Sequence, residues 1–120
     1  MHALIIEDEH IIAYSIEDVL RDYGFKSFDV AASAQRAIDA AARRRPDLIT
    51  SDVQLNPGCG IAAVEVICEK PSIPVVFITG NAADVARRLP NHRVLGKPFS
   101  ETALISAVAS AMLEVGEERQ

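Results

Sequence analysis

The run Ala3-Leu4-Ile5-Ile6 stops abruptly at Glu7-Asp8-Glu9. Consecutive apolar residues leave no side for water, so the run fits a strand buried on both faces, with its polar end at a sheet edge. A strand covered above and below needs helices around it, and the next segments supply them. From Glu9 to Tyr23 the pattern is helical: Ile12, Ile16, Val19, Leu20 and Tyr23 recur at three- and four-residue steps, and Gly24 is a natural stop. Phe25-Lys26-Ser27-Phe28-Asp29-Val30 alternates like a half-buried strand. Ser33 then caps an Ala-rich helix that reaches about Arg44 and is ended by Pro46.

The same alternation continues to the end of the chain. Leu48-Ile49-Thr50-Ser51 is a short strand running straight into Asp52, and Gln54-Leu55-Asn56-Pro57-Gly58-Cys59-Gly60 carries the densest turn chemistry and is a loop. A helix follows from Ile61 to about Cys68, then the strand Val75-Val76-Phe77-Ile78, closed by Thr79-Gly80. Asn81 with Asp84 resembles a capping pair that opens a short fourth helix, ended by Pro90. Val94-Leu95 is a last strand before Gly96-Lys97-Pro98, and Ser100 caps the final helix. Leu104, Ile105, Val108, Met112 and Leu113 form its expected apolar stripe, with Cys68 expected in the core. Strands alternating with helices predict an α/β fold in three layers, a parallel sheet with helices on both faces. Residues 1–115 form the expected domain and residues 116–120 a frayed tail, with no output domain attached.

Charge and composition remove several classes of function. A formal net charge of −5 argues against a domain held on nucleic acid by phosphate neutralisation. No apolar run approaches the roughly 18 residues of a membrane span. The N-terminus lacks the basic start and cleavage site of a secretory signal. Cys59 and Cys68 are too few for a disulfide scaffold and lack zinc spacing. A cytoplasmic domain is expected.

In parallel sheets of this kind, sites form beyond the carboxyl ends of the strands. The first strand ends in Glu7-Asp8, the third at Asp52, the fourth at Thr79 and the fifth at Lys97. Three carboxylates at one edge repel one another and resist ionisation unless a cation joins them. A hard divalent ion such as Mg²⁺ suits oxygen ligands and shares phosphate oxygens. Metal, ammonium and hydroxyl around a carboxylate are what a transferring phosphoryl group needs, because that chemistry is mostly positioning and charge neutralisation. Asp52, at the centre of the sheet, is assigned as the nucleophile.

Glu7-Asp8, Asp52, Thr79 and Lys97-Pro98, in this order on these strands, resemble a response-regulator receiver domain of two-component signalling. The resemblance covers essentially the whole chain. It implies a flavodoxin-like sheet of strand order 2-1-3-4-5 and a stand-alone response regulator. By the same resemblance Asp52 accepts a phosphoryl group from a phosphohistidine of a histidine kinase or phosphotransfer protein. Asp8 and Asp52 are implied to bind Mg²⁺ (or Mn²⁺) with the main-chain carbonyl of Gln54, and Glu7 completes the acidic set. Lys97 is implied to pair with the phosphoryl group, Thr79 to hydrogen-bond it in the active state, and Lys97-Pro98 to be cis. Many receivers carry an aromatic residue three positions before the lysine, where this chain has Val94. Pro74-Val75-Val76-Phe77-Ile78-Thr79-Gly80-Asn81 also keeps the Pro, Phe, Thr and Gly of the Pro-Phe-x-Phe-Ala-Thr-Gly subgroup associated with general stress signalling.

Simpler roles compete for several residues. Asp52 alone reads equally as a turn aspartate, and Glu7 and Asp8 also favour the N-terminal dipole of the first helix. His10 reads as an exposed helix histidine. Arg43-Arg44-Arg45 suits the dipole at a helix end rather than nucleic acid. Cys59 lies in the site loop, and nothing marks its thiol as redox-active. An aspartyl-nucleophile phosphatase needs a second acid two residues after the nucleophile, where this chain has Gln54, so no enzyme turnover of that kind is expected. No Gly-rich turn follows the first strand, which excludes a dinucleotide module. The remaining rival is a receiver-like scaffold that binds a partner constitutively. The protein target is unnamed by the sequence, and the aliphatic final helix suits a homodimer formed on phosphorylation.

Overall fold

The computed structural model describes residues 1–55, 58–68 and 73–118, so Asn56 and Pro57 of the expected loop and the end of the expected tail lie outside the described residues. The elements are β1 His2–Ile6, α1 His10–Tyr23, β2 Ser27–Ala31, α2 Ala34–Arg43, β3 Leu48–Asp52, α3 Gly60–Ile67, β4 Val75–Thr79, α4 Ala82–Arg88, β5 Arg93–Gly96 and α5 Glu101–Glu118. All strand pairs are parallel, in the order β2-β1-β3-β4-β5. This is the flavodoxin-like arrangement, with β3 in the middle and a short α4.

The alternation of side chains along each strand divides the core in two. Ala3, Ile5, Leu48, Val76 and Ile78 point to the layer of α1 and α5, where they meet Ile16, Leu20, Leu104 and Val108. Leu4, Ile6, Ile49 and Phe77 point the other way and meet Ala37, Val64 and Val85 of α2, α3 and α4. Burying one leucine such as Leu104, which is wholly covered, contributes about 2 kcal/mol. The expected caps hold where the geometry is local: Gly24 ends α1 with φ 132°, Ser33 Oγ accepts from Arg36 N–H at 3.2 Å, and Ser100 Oγ accepts from Ala103 N–H at 3.1 Å.

Five expectations are corrected. Phe25 precedes β2 rather than opening it, and its ring stacks on Tyr23 with centroids 5.9 Å apart at the end of α1. Asn81 makes no side-chain cap to α4: its backbone, at φ −124° and ψ 53°, lacks the extended geometry of a cap, and its own N–H donates to Thr79 Oγ1 at 3.2 Å rather than to Asp84. On α5 the buried line is Leu104, Val108 and Ala111, while Ile105 and Leu113 are 37% and 65% exposed. Ile105 stands one residue, about 100° of helix rotation, from Leu104, and Leu113 stands two residues, about 200°, from Ala111. α5 also continues through Gly116 to Glu118, since a glycine weakens a helix without ending it. Cys68, expected in the core, sits half-buried at its edge beside the α2–α4 layer. No helix among the described residues is long and apolar enough to cross a membrane.

Candidate functional site

Parallel strands bring their carboxyl ends to one edge, and the acidic residues meet there. Glu7 directly follows β1, and its N–H donates to Ala31 O at 3.0 Å, which fixes the turn beside β2. Its side chain is fully buried. Asp8 is half-buried and Asp52 ends the central strand. One carboxylate oxygen from each of Glu7, Asp8 and Asp52 lies within 4.8 Å of the others.

Lys97 enters from β5. Its N–H donates to Thr79 O at 2.8 Å, its peptide bond to Pro98 is cis, and its Nζ stands 2.8 Å from Glu7 Oε1 and 3.0 Å from Asp52 Oδ2. Burial pushes the Glu7 carboxyl above its ordinary range, and the Lys97 ammonium only partly opposes this. For Lys97, burial pulls the ammonium down, but its two carboxylate partners outweigh that and hold it above the usual lysine range. Formally the cluster sets three carboxyl groups against one ammonium. Buried Glu7 Oε1 also has no aligned hydrogen bond among the described residues, only the ion-pair contact with Lys97. An all-oxygen, net-negative donor set with an under-satisfied buried oxygen fits a hard divalent cation.

The other expected site residues fall into two groups. Gln54 is adjacent: its N–H donates to Asp52 Oδ1 at 3.3 Å, and it bridges Cys59 across the loop. Thr79 is buried at the end of β4, but its hydroxyl oxygen accepts from Asn81 N–H, and no hydrogen bond among the described residues joins that hydroxyl to the side chain of Asp52 or Lys97. His10 is exposed in the first turn of α1, Cys59 is exposed before α3, and Arg43 is exposed in the last turn of α2. Val94 lies beside Phe77 across the sheet and packs into the α2–α4 core as an ordinary apolar residue.

Two neighbours of Asp52 escaped the sequence reading. Ser51 Oγ donates to Asp52 O at 2.9 Å. Gly60 presses so closely that a Cβ there would lie 1.7 Å from Asp52 O. The available signal was a glycine opening α3, where a better helix former was expected. His92, whose ring lies 5.6 Å from that of Phe77 near Val94, was likewise unmarked.

Burial of the Glu7 carboxyl has a measurable consequence. A carboxyl raised on folding contributes stability that is full below its ordinary pKa of 4.5 and is lost as pH rises through its higher folded value. Glu7→Gln removes that loss. In metal-free buffer its unfolding midpoint is expected above that of the parent protein at pH 7, by on the order of 1 kcal/mol, the scale of one like-charged pair at 4 Å in water. The difference shrinks as pH falls toward 4.5. Urea melts at the two pH values test this, and a Glu7→Gln protein less stable at pH 7 contradicts it.

Comparison with known proteins agrees with this geometry. The chain is 37% identical over 117 residues to the phyllosphere-induced regulator PhyR of Methylorubrum extorquens, covering 92% of this chain and 42% of that protein. It is 33% identical over 113 residues to the transcriptional regulatory protein PdtaR of Mycobacterium tuberculosis, covering 91% of this chain and 55% of that one. The chain thus spans about half the length of the curated relatives it matches. The solution NMR structure of the Erythrobacter litoralis PhyR response regulator REC domain superposes with a TM-score of 0.84 at 32% identity, over 93% of this chain and 89% of that one. The sequence model of the response regulator receiver domain matches residues 3–109, and the chain belongs to that family.

Proposed function

We propose that Asp52 accepts a phosphoryl group from a phosphohistidine on a histidine kinase or phosphotransfer protein, in a reaction that depends on Mg²⁺ (or Mn²⁺). The observation that carries this is Lys97 Nζ standing between Glu7 and Asp52, at 2.8 and 3.0 Å, beside a second exposed-side acid, Asp8. A carboxylate oxygen of Asp52 forms the new O–P bond while the P–N bond of the phosphohistidine breaks. The departing imidazole nitrogen keeps the electron pair and takes a proton from water. Glu7, Asp8, Asp52 and the main-chain carbonyl of Gln54 would hold the Mg²⁺, whose charge would neutralise the phosphoryl oxygens. Lys97 supplies a compact positive charge 3.0 Å from the acceptor carboxylate. Thr79 accepts from Asn81 N–H, which leaves its own O–H free to donate to a phosphoryl oxygen.

The consequence is a switch. An added phosphoryl group brings charge and strong acceptor oxygens that draw Thr79 and Lys97 inward. Thr79 ends β4 and Lys97 directly follows β5, so α4, β5 and α5 form the face that changes toward a protein target, or the domain drains a kinase as a phosphate sink. The chain acts in the cytoplasm as a receiver over residues 1–115. One observation favours the rival reading of a constitutive scaffold: Val94 is a half-buried aliphatic packed against the α2–α4 core, without an aromatic ring to rotate inward. Amide spectra with beryllofluoride and Mg²⁺ separate the two. Displaced resonances across residues 80–98 are expected for a switch, and unchanged ones there favour the scaffold.

A further inference from the structure

Ser51 is only 1% exposed, on the sheet face covered by α2, α3 and α4 and directly beside Phe77 in the neighbouring strand. An aliphatic side chain suits such a place. A hydroxyl is there instead, and it donates to the main-chain carbonyl of Asp52 at 2.9 Å. That carbonyl oxygen is also the atom nearest Gly60, whose missing Cβ would stand 1.7 Å from it and 2.5 Å from Ser51 Oγ. Gly60 N–H donates in turn to Val53 O at 2.9 Å. Two successive peptides are therefore held where β3 leaves the sheet, Asp52–Val53 by the Ser51 hydroxyl and Val53–Gln54 by Gly60 N–H, and the Asp52–Val53 peptide comes first. Its plane sets the direction in which the Asp52 carboxylate emerges, and it also places Gln54, whose N–H reaches Asp52 Oδ1 at 3.3 Å.

We infer that Ser51 is a positioning residue for the acceptor carboxylate. Its hydroxyl fixes the Asp52 peptide plane, which holds the carboxylate at its 3.0 Å contact with Lys97 and among its acidic neighbours. The inference rests on the reading of Asp52 as phosphoacceptor. Transfer depends steeply on the placement of the attacking oxygen, so losing the hydroxyl slows it by about tenfold.

Ser51→Ala removes a single oxygen. The maximal rate of phosphorylation, at saturating acetyl phosphate and Mg²⁺, is expected to fall by about tenfold, with the half-saturating donor concentration unchanged within about twofold. In the metal-free protein the Asp52 carbonyl ¹³C resonance moves upfield as its hydrogen bond is lost. Ser51→Cys, close in size but a weak donor, is read in the same way should Ser51→Ala fail to fold. A folded variant that reacts as fast as the parent, or an unmoved Asp52 carbonyl resonance, overturns the inference alone. A parent protein that takes no phosphoryl group overturns the reading of Asp52 on which it stands.

Discussion

Lys97→Met is expected to slow phosphoryl transfer to Asp52 by about 10²–10³-fold, the usual cost of removing a pre-set charge from a reacting oxyanion. Two effects add in the same direction. The ammonium that would meet the phosphoryl oxygens is gone, and the fully buried Glu7 loses the cation 2.8 Å away. Breaking a buried pair from one side destabilises by roughly 3–5 kcal/mol, because the partner charge is left in a poor solvent. Lys97 keeps some solvent contact, with its side chain 18% exposed. A loss of about 2 kcal/mol is therefore expected at pH 7. The loss is smaller in acid: Glu7 is raised already, and protonating it removes the unpaired charge. Denaturant melts at pH 7 and pH 4 measure this, and a variant as stable and as reactive as the parent contradicts it.

Gly60→Ala is expected to be the most damaging single-atom addition in the chain. A Cβ would stand 1.7 Å from Asp52 O, 2.5 Å from Ser51 Oγ and 2.9 Å from Asp52 C. Two of those atoms are backbone and cannot rotate aside, so α3 or the end of β3 must retreat by about an ångström. Overpacking of this kind costs about 3 kcal/mol, and an acceptor misplaced by that distance reacts on the order of 100-fold more slowly. A thermal melt and a phosphorylation time course at a temperature where the variant remains folded test both parts. An unaltered melting point would show that the junction yields more easily than its geometry implies.

Much of the fold was legible because it rests on patterns with one physical cause. Apolar runs such as Ala3–Ile6 have nowhere to go but a two-sided core, and Ser33, Ser100 and Gly24 act through bonds to their own neighbours. The acids and the lysine of the site were legible for the same reason, since strands in one direction must deliver their ends to one edge. The strand order itself came from family resemblance, because periodicity records burial and not lateral neighbours. Errors arose where tertiary geometry decided. Ile105 and Leu113 are apolar at nearly the right spacing, yet the rotation of α5 points Leu104, Val108 and Ala111 inward instead. Asn81 has the chemistry of a cap, but its backbone does not take the extended geometry a cap needs. Ser51 and Gly60 were invisible as site residues because their importance lies in a close approach of two backbones, which leaves only a small residue and a hydroxyl as its trace.

The central claim is that Asp52 carries the phosphoryl group, and intact-mass spectrometry addresses it most directly. The protein is incubated with acetyl phosphate and Mg²⁺, beside samples without metal and an Asp52→Asn variant. One added phosphoryl group is expected in the complete reaction and none in either control. No added mass with several donors, together with no Mg²⁺ binding by titration, contradicts the account and leaves a receiver fold acting as a scaffold.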